Sequence, residues 1–202
     1  MKGIMFIEPL FHKVINGGKT QTRRVVKQLN HTLDNPKYCE YVLTTLNPKY
    51  KLGEILYLKE PFVCYEETCQ ELKTNASGLK IAYKYGNNIS IEDITGDDSA
   101  KWNNKLFMPE SAARHFIQIT GIRAERLQDI SDEDCFREGI EESDCGGMKC
   151  VIFGVRSGLF FNELGSTPQE AYATLINKIA GRGTWDKNPW VWVFDFKCFN
   201  IK

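Results

Sequence analysis

His115-Phe116-Ile117-Gln118-Ile119-Thr120-Gly121-Ile122-Arg123-Ala124-Glu125-Arg126-Leu127 (115–127) alternates at the period of a β-strand and then changes face. Ile117 and Ile119 share one side, whereas Ile122 and Ala124 fall on the other, which a bulge or bend at Thr120-Gly121 accomplishes. A bent strand suits a small barrel. Downstream, Ser131 reads as a helix N-cap, with Asp132, Glu133 and Asp134 in the first turn, Ile130 and Cys135 as a hydrophobic staple, and Gly139 as terminator. Glu138 falls at the C-terminal end of that helix, where the dipole disfavours a carboxylate unless something else holds it.

Toward the C-terminus, Thr167-Pro168-Gln169-Glu170 combines an N-cap, a first-turn proline and a capping-box glutamate. Ala171, Leu175, Ile176 and Ile179 continue at helical spacing to Gly181. The tail then alternates, with Trp190, Trp192, Phe194, Phe196 and Cys198 on one side and Val191, Val193, Asp195 and Lys197 on the other. Toward the N-terminus, Pro9, Leu10, Val14 and Ile15 predict a short helix stopped by Gly17-Gly18, which delivers the chain to KTQTRRVVK (19–27). There threonines and valines favour an extended chain, and Lys19, Arg23, Arg24 and Lys27 form the dense basic segment.

Residues 28–49 are mostly polar, with Pro36 and Pro48, and read as a long surface connection. Ile55-Leu56-Tyr57-Leu58 reads as a strand buried on both faces, ending at Lys59-Glu60-Pro61. Between residues 64 and 105 one further strand is expected, Ile81-Ala82-Tyr83-Lys84-Tyr85. The expectation is therefore an α+β single domain over residues 1–202: a small β-barrel flanked by short helices, with loop-rich insertions near 62–105 and 141–166.

Composition narrows the function classes. Lys plus Arg and Asp plus Glu both number 26, so the chain as a whole exerts little pull on polyanions, and a nucleic-acid partner has to be held by a local patch. No apolar run approaches the length of a membrane span, and Met1 to Leu10 lacks the order of a secretory signal, so a soluble, cytoplasmic chain without a membrane partner is expected. The cysteines number 7, which argues against a fully paired disulfide framework. Cys64 and Cys69, like Cys145 and Cys150, are loosely spaced for zinc and no histidine pair completes a ligand set, so neither metal nor cofactor is expected. His12, His31 and His115 form no spacing pattern.

Four segments resemble the ASCH domains, small PUA-like barrels proposed to bind RNA, and in particular their phage- and prophage-associated branch. They are GGKTQTRR (17–24), YKLGEILYLKEPF (50–62), FMPESAARHFIQITGIRAERLQDISDEDCFREGI (107–140) and RGTWDKNPWVWVFDFK (182–197). The family signature G-x-K-x-x-E-x-R here reads Gly17, Lys19, Thr22 and Arg24, with threonine in place of glutamate. A bacterial member that hydrolyses N4-acylated cytidines uses Lys, Thr and Glu, the first two spaced as Lys19 and Thr22 are. Glu138, in Phe136-Arg137-Glu138-Gly139, matches the segment of its glutamate. The resemblance thus implies a triad of Lys19, Thr22 and Glu138.

The chemistry has its own logic. A threonine hydroxyl needs a base to take its proton, a desolvated lysine can be that base, and a glutamate can hold the ammonium or pass protons to a departing amine. In a straight strand, however, Lys19 and Thr22 face opposite sides, so the triad requires Lys19 in the turn after Gly18. The bland alternative makes Lys19 a solvated turn residue, Thr22 a strand filler and Glu138 a surface residue. Arg23 and Arg24 belong to the basic patch. Glu60 either accepts from an exocyclic amine, as carboxylates read cytosine N4, or pairs with a nearby arginine. Arg114 either contacts phosphate or pairs with the acidic run 129–134. Trp185 and Trp190 flank Asp186-Lys187-Asn188-Pro189, where an aromatic can stack a base, whereas Trp190 and Trp192 share the apolar face and otherwise pack in the core.

Three functions follow as expectations: binding of a nucleobase in RNA or a modified nucleoside, in a polar cleft between the Lys19–Arg24 segment and the Glu138 helix; amide hydrolysis of an N4-acylcytidine; or docking of a phage or mobile-element protein onto another protein.

Overall fold

The computed structural model describes residues 1–26, 47–65, 80–85, 90–95, 99–144, 149–153, 164–165 and 167–199. Residues 28–46 of the connection expected over 28–49 and much of both expected insertions lie outside these residues. The strands are β1 (Lys2–Met5), β2 (Gln21–Val25), β3 (Ile55–Lys59), β4 (Phe62–Tyr65), β5 (Lys80–Tyr83), β6 (Phe116–Arg126), β7 (Ile140–Asp144), β8 (Lys149–Phe153), β9 (Leu164–Gly165) and β10 (Trp190–Phe199). The helices are α1 (Glu8–Ile15), α2 (Ile91–Thr95), α3 (Asp132–Arg137) and α4 (Pro168–Ala180). The chain is therefore α+β. Five strands form one mixed sheet in the order β1-β3-β6-β10-β2, β4 pairs with β5, and β7-β8-β9 make a third sheet. Among the described residues no closed barrel is found.

Two compact units divide the chain: residues 1–12, 55–117 and 199–202 make the first, and residues 13–54 and 118–198 the second. In the first, β1 and β3 are parallel, with Ile4 opposite Leu58. Consecutive residues Leu56, Tyr57 and Leu58 are all buried, so β3 is covered on both faces, as its unbroken apolar run predicts. A Cβ on Gly3 would come within 2.8 Å of the Tyr57 ring, so that strand position admits no side chain without a shift. A smaller core gathers Phe62, Met108 and Ala112, with Ile81 and Tyr83 packed on it.

In the second unit β10 runs antiparallel to β2, with Asp195 opposite Gln21 and Phe194 opposite Thr22. Val191, Val193, Phe194 and Phe196 are all buried, so β10 packs on both faces. β6 is one strand through Thr120-Gly121. There the glycine serves a close approach: a Cβ would lie 2.7 Å from Asp195 Oδ2. Ser131 caps α3 through its side chain, which accepts from the Asp134 amide. Gly139, at φ 99°, turns the chain out of α3 in a conformation that disfavours a side chain. The capping box of Thr167 and Glu170 opens α4, which buries Ala171, Tyr172, Leu175 and Ile176.

Candidate functional site

Between α1 and β2 the backbone is fixed at two points: the Lys19 amide donates to Lys13 O at 3.0 Å, and the Thr20 amide to Arg137 O at 2.9 Å. The period of two then sets Gln21 and Arg23 on one face of β2 and Thr22 on the other, while Lys19 lies ahead of the strand, after the turn at Gly17-Gly18, and shares Glu138 with Arg23. The Lys19 ammonium donates to the backbone carbonyl of Glu138 at 2.7 Å and to the Glu138 carboxylate. Lys19 is 2% exposed and Glu138 4%. Burial lowers the Lys19 pKa, and the Glu138 carboxylate opposes that only in part.

Lys13 does the same one residue further on, donating to Gly139 O at 2.6 Å and pairing with Glu141 at 2.7 Å. Two ammonium groups thus cover carbonyls at the end of α3, where the helix dipole favours cations. This resolves the oddity of an acid at that end. Glu138 is held by the cations around it.

Arg23 is the hub of the same face, its side chain fully enclosed. Nε and Nη2 donate to Glu125 Oε1 at 2.9 and 2.6 Å, Nη2 also to Asp134 Oδ2 at 2.9 Å, and Nη1 to Gln21 Oε1 at 2.5 Å and Glu138 Oε1 at 3.2 Å. Every N–H of the guanidinium is engaged within the protein. The neighbours extend the network outward. Arg123 pairs with Glu125, Asp134 and Asp195, and Arg137 with Asp134 and Asp195. Burial would push the Asp134 carboxyl up, but the hydrogen bond from Arg23 and the charge of Arg123 outweigh it and hold the pKa down.

Of the residues the resemblance implies, Lys19 and Glu138 meet. Thr22 is buried beside its cross-strand partner Phe194, whose ring packs edge-on against Tyr50 at 5.1 Å, on the face away from the ion network. Arg23, expected in a surface patch, is interior. Arg24 is half-buried opposite Trp192.

Trp185 packs edge-on against Tyr172 at 6.2 Å, and its carbonyl accepts from Gln128 Nε2. Trp190 has the Arg126 guanidinium over its ring at 5.0 Å, and its buried indole N–H has no acceptor among the described residues. Trp190 pairs with Val26, whereas Phe196 pairs with Thr20, next to Lys19. At roughly 3.3 Å per residue these points are about 20 Å apart along β10. One nucleobase cannot touch both.

Glu60 and Arg114 come together in the first unit. Arg114 Nε and Nη2 donate to the two Glu60 oxygens at 2.7 Å each, Nη2 also reaches Tyr85 O at 2.6 Å, and the guanidinium stacks 4.3 Å from the Tyr83 ring. Glu60 is wholly buried, and burial raises its pKa against the pull of Arg114. His115 lies edge-on to Phe11 at 5.7 Å; burial, helped by Arg114 and His12, lowers its pKa to about 4.

Gln21, Arg123, Glu125, Asp134, Arg137 and Asp195 were not singled out by sequence. For the strand residues the signal is the two-residue period: Arg123 and Glu125 share a face of β6, as Gln21 and Arg23 share a face of β2, whereas Asp134 and Arg137 are one helical turn apart on α3. Among the described residues, Cys64 and Cys135 are free thiols, no group of three or more His, Cys, Asp or Glu is arranged to hold a metal, and no helix is long and apolar enough to cross a membrane. No family model matches the chain, and no curated protein and no solved structure matches it.

Proposed function

We propose that the second unit binds a nucleobase, carried by RNA or by a modified nucleoside, at the Lys19–Glu138 pair, as part of a PUA-like ASCH barrel of the phage-associated kind. The observation that carries this reading is the enclosure of the Lys19 ammonium, 2% exposed, against Glu138. A buried ion pair is a poor stability device, because apolar residues of similar volume do as well or better. A desolvated lysine beside a specific charge partner is characteristic of functional sites. The pair also offers the right chemistry, since a carboxylate accepts from an exocyclic amine and an ammonium donates to a ring carbonyl. Titration with cytidine and with short single-stranded RNA at several salt concentrations tests it. Saturable binding, with a salt slope for RNA alone, supports the reading; no binding of either at low salt removes it.

A second reading, deacylation of an N4-acylcytidine, is favoured by one observation: burial lowers the Lys19 pKa, which makes a neutral amine base more accessible. In the version that suits the two faces of β2, Lys19 takes a proton from an attacking water. The tetrahedral intermediate then expels the N4 amine, which receives that proton from Lys19, and the acyl group leaves as the acid. Incubation with N4-acetylcytidine tests this: cytidine release that vanishes in Lys19→Ala and persists in Thr22→Ala supports water as nucleophile, loss in both supports the threonine, and no release by the wild type removes the reaction.

A further inference from the structure

Glu138 divides its carboxylate between two cations of different character. Oε1 accepts from Arg23 Nη1 at 3.2 Å, and Oε2 from the Lys19 ammonium. A guanidinium stays charged at any pH a protein survives, whereas an ammonium can lose its proton or turn toward a ligand. If Lys19 alone held Glu138, each such event would leave a buried carboxylate without a partner.

We propose that Arg23 is a positioning residue for the pair: it anchors Glu138 through Oε1, so that Oε2 stays aimed at Lys19 while Lys19 itself remains free to exchange its proton or its partner. This rests on the reading of Lys19 and Glu138 as the ligand site. Arg23 is in turn gripped by Glu125, Asp134 and Gln21, so the anchor cannot follow the carboxylate if it swings. Among the described residues, the charged groups around Lys19 include Glu138, Arg23 and Arg24; Tyr172 and Cys135 lie in the field of Glu138, and Lys13 holds the next carbonyl. Among these, Arg23 is the cation directly bonded to the carboxylate on the side away from Lys19.

Two substitutions should move the protonation of Lys19 in opposite directions. Arg23→Gln removes a neighbouring positive charge and leaves Glu138 wholly to Lys19, so the lysine should hold its proton more tightly. Glu125→Gln removes one anion from Arg23, which then draws harder on Glu138, and the lysine should release its proton more easily. Charges at this range shift titrations by about one pH unit or more. The measurement is the side-chain NMR titration of Lys19, without ligand, in wild type, Arg23→Gln, Arg23→Lys and Glu125→Gln. Expected are an upward shift in Arg23→Gln, largely reversed in Arg23→Lys, and a downward shift in Glu125→Gln. If Arg23→Gln does not fold, the Glu125→Gln shift decides. A Lys19 titration that stays in place in the folded variants overturns the proposal, since a residue that only supports the fold would alter stability without moving it. Cytidine binding by the wild type, measured in parallel, separates the two questions: its absence removes the nucleobase reading, while the titration still decides the role of Arg23.

Discussion

Thr22 and Phe194 are cross-strand partners on β2 and β10, and this pairing puts the threonine hydroxyl on the sheet face opposite to that of Arg23 and its acids. Replacing Thr22 by valine therefore should cost less than about 1 kcal/mol, since a methyl replaces a hydroxyl beside an aromatic ring. Nucleoside binding should stay at the wild-type level. Urea unfolding and a cytidine titration of Thr22→Val check both; loss of binding in a fully folded variant would return the hydroxyl to the site.

The Lys19–Glu138 pair should be strongly non-additive. Glu138→Leu strands the buried Lys19 ammonium and should cost about 3–5 kcal/mol, Lys19→Met should cost less because Glu138 keeps Arg23 at 3.2 Å, and the double substitution should cost less than the sum. A double-mutant cycle by chemical denaturation measures the coupling, and additive costs would mean that the two side chains act independently.

In the first unit, Arg114→Ala should cost about 3 kcal/mol although the arginine is partly exposed, because it leaves the fully enclosed Glu60 carboxylate unpaired. Lys84→Ala, at an exposed position between Tyr83 and Tyr85, should stay within about 0.5 kcal/mol. Equal effects of the two changes would show that the bidentate pair contributes no more than a surface charge.

His115 gives the fold a pH dependence with a definite sign. Its folded pKa, about 4, lies below the usual 6.5, so between those values the unfolded chain binds the proton and the folded chain does not. Stability should therefore be fully present above pH 6.5 and decline as the pH falls toward 4. Comparing urea midpoints at pH 7 and pH 5 for wild type and His115→Gln tests this; the variant should lose less on acidification, and an identical loss would rule the histidine out as the cause.

How much of this was legible beforehand depended on range. Ser131, Thr167, Gly139 and Gly181 signal helix ends within a few residues of themselves, and those ends lie where their chemistry requires. The continuous apolar run of β3 and the two-sided tail of β10 were equally local. Arg23 was not legible as an interior residue, because three of its partners, Glu125, Asp134 and Glu138, lie more than 100 positions away in the sequence and Asp134 looked like an ordinary first-turn acid. Glu60 and Arg114 were both singled out, but only tertiary pairing assigns each to the other. That Lys19 and Glu138 meet was implied by resemblance alone, since neither period nor spacing connects them.

The most direct test follows the Lys19 ε-methylene by carbon-detected NMR while cytidine is added to the wild-type protein, with the signal assigned by its absence in Lys19→Arg. The account predicts a saturable shift of the Lys19 signal, with Lys59 and Lys105 unmoved and no response in Glu138→Gln. A Lys19 signal that stays still at saturating cytidine, or that moves equally in Glu138→Gln, would contradict it.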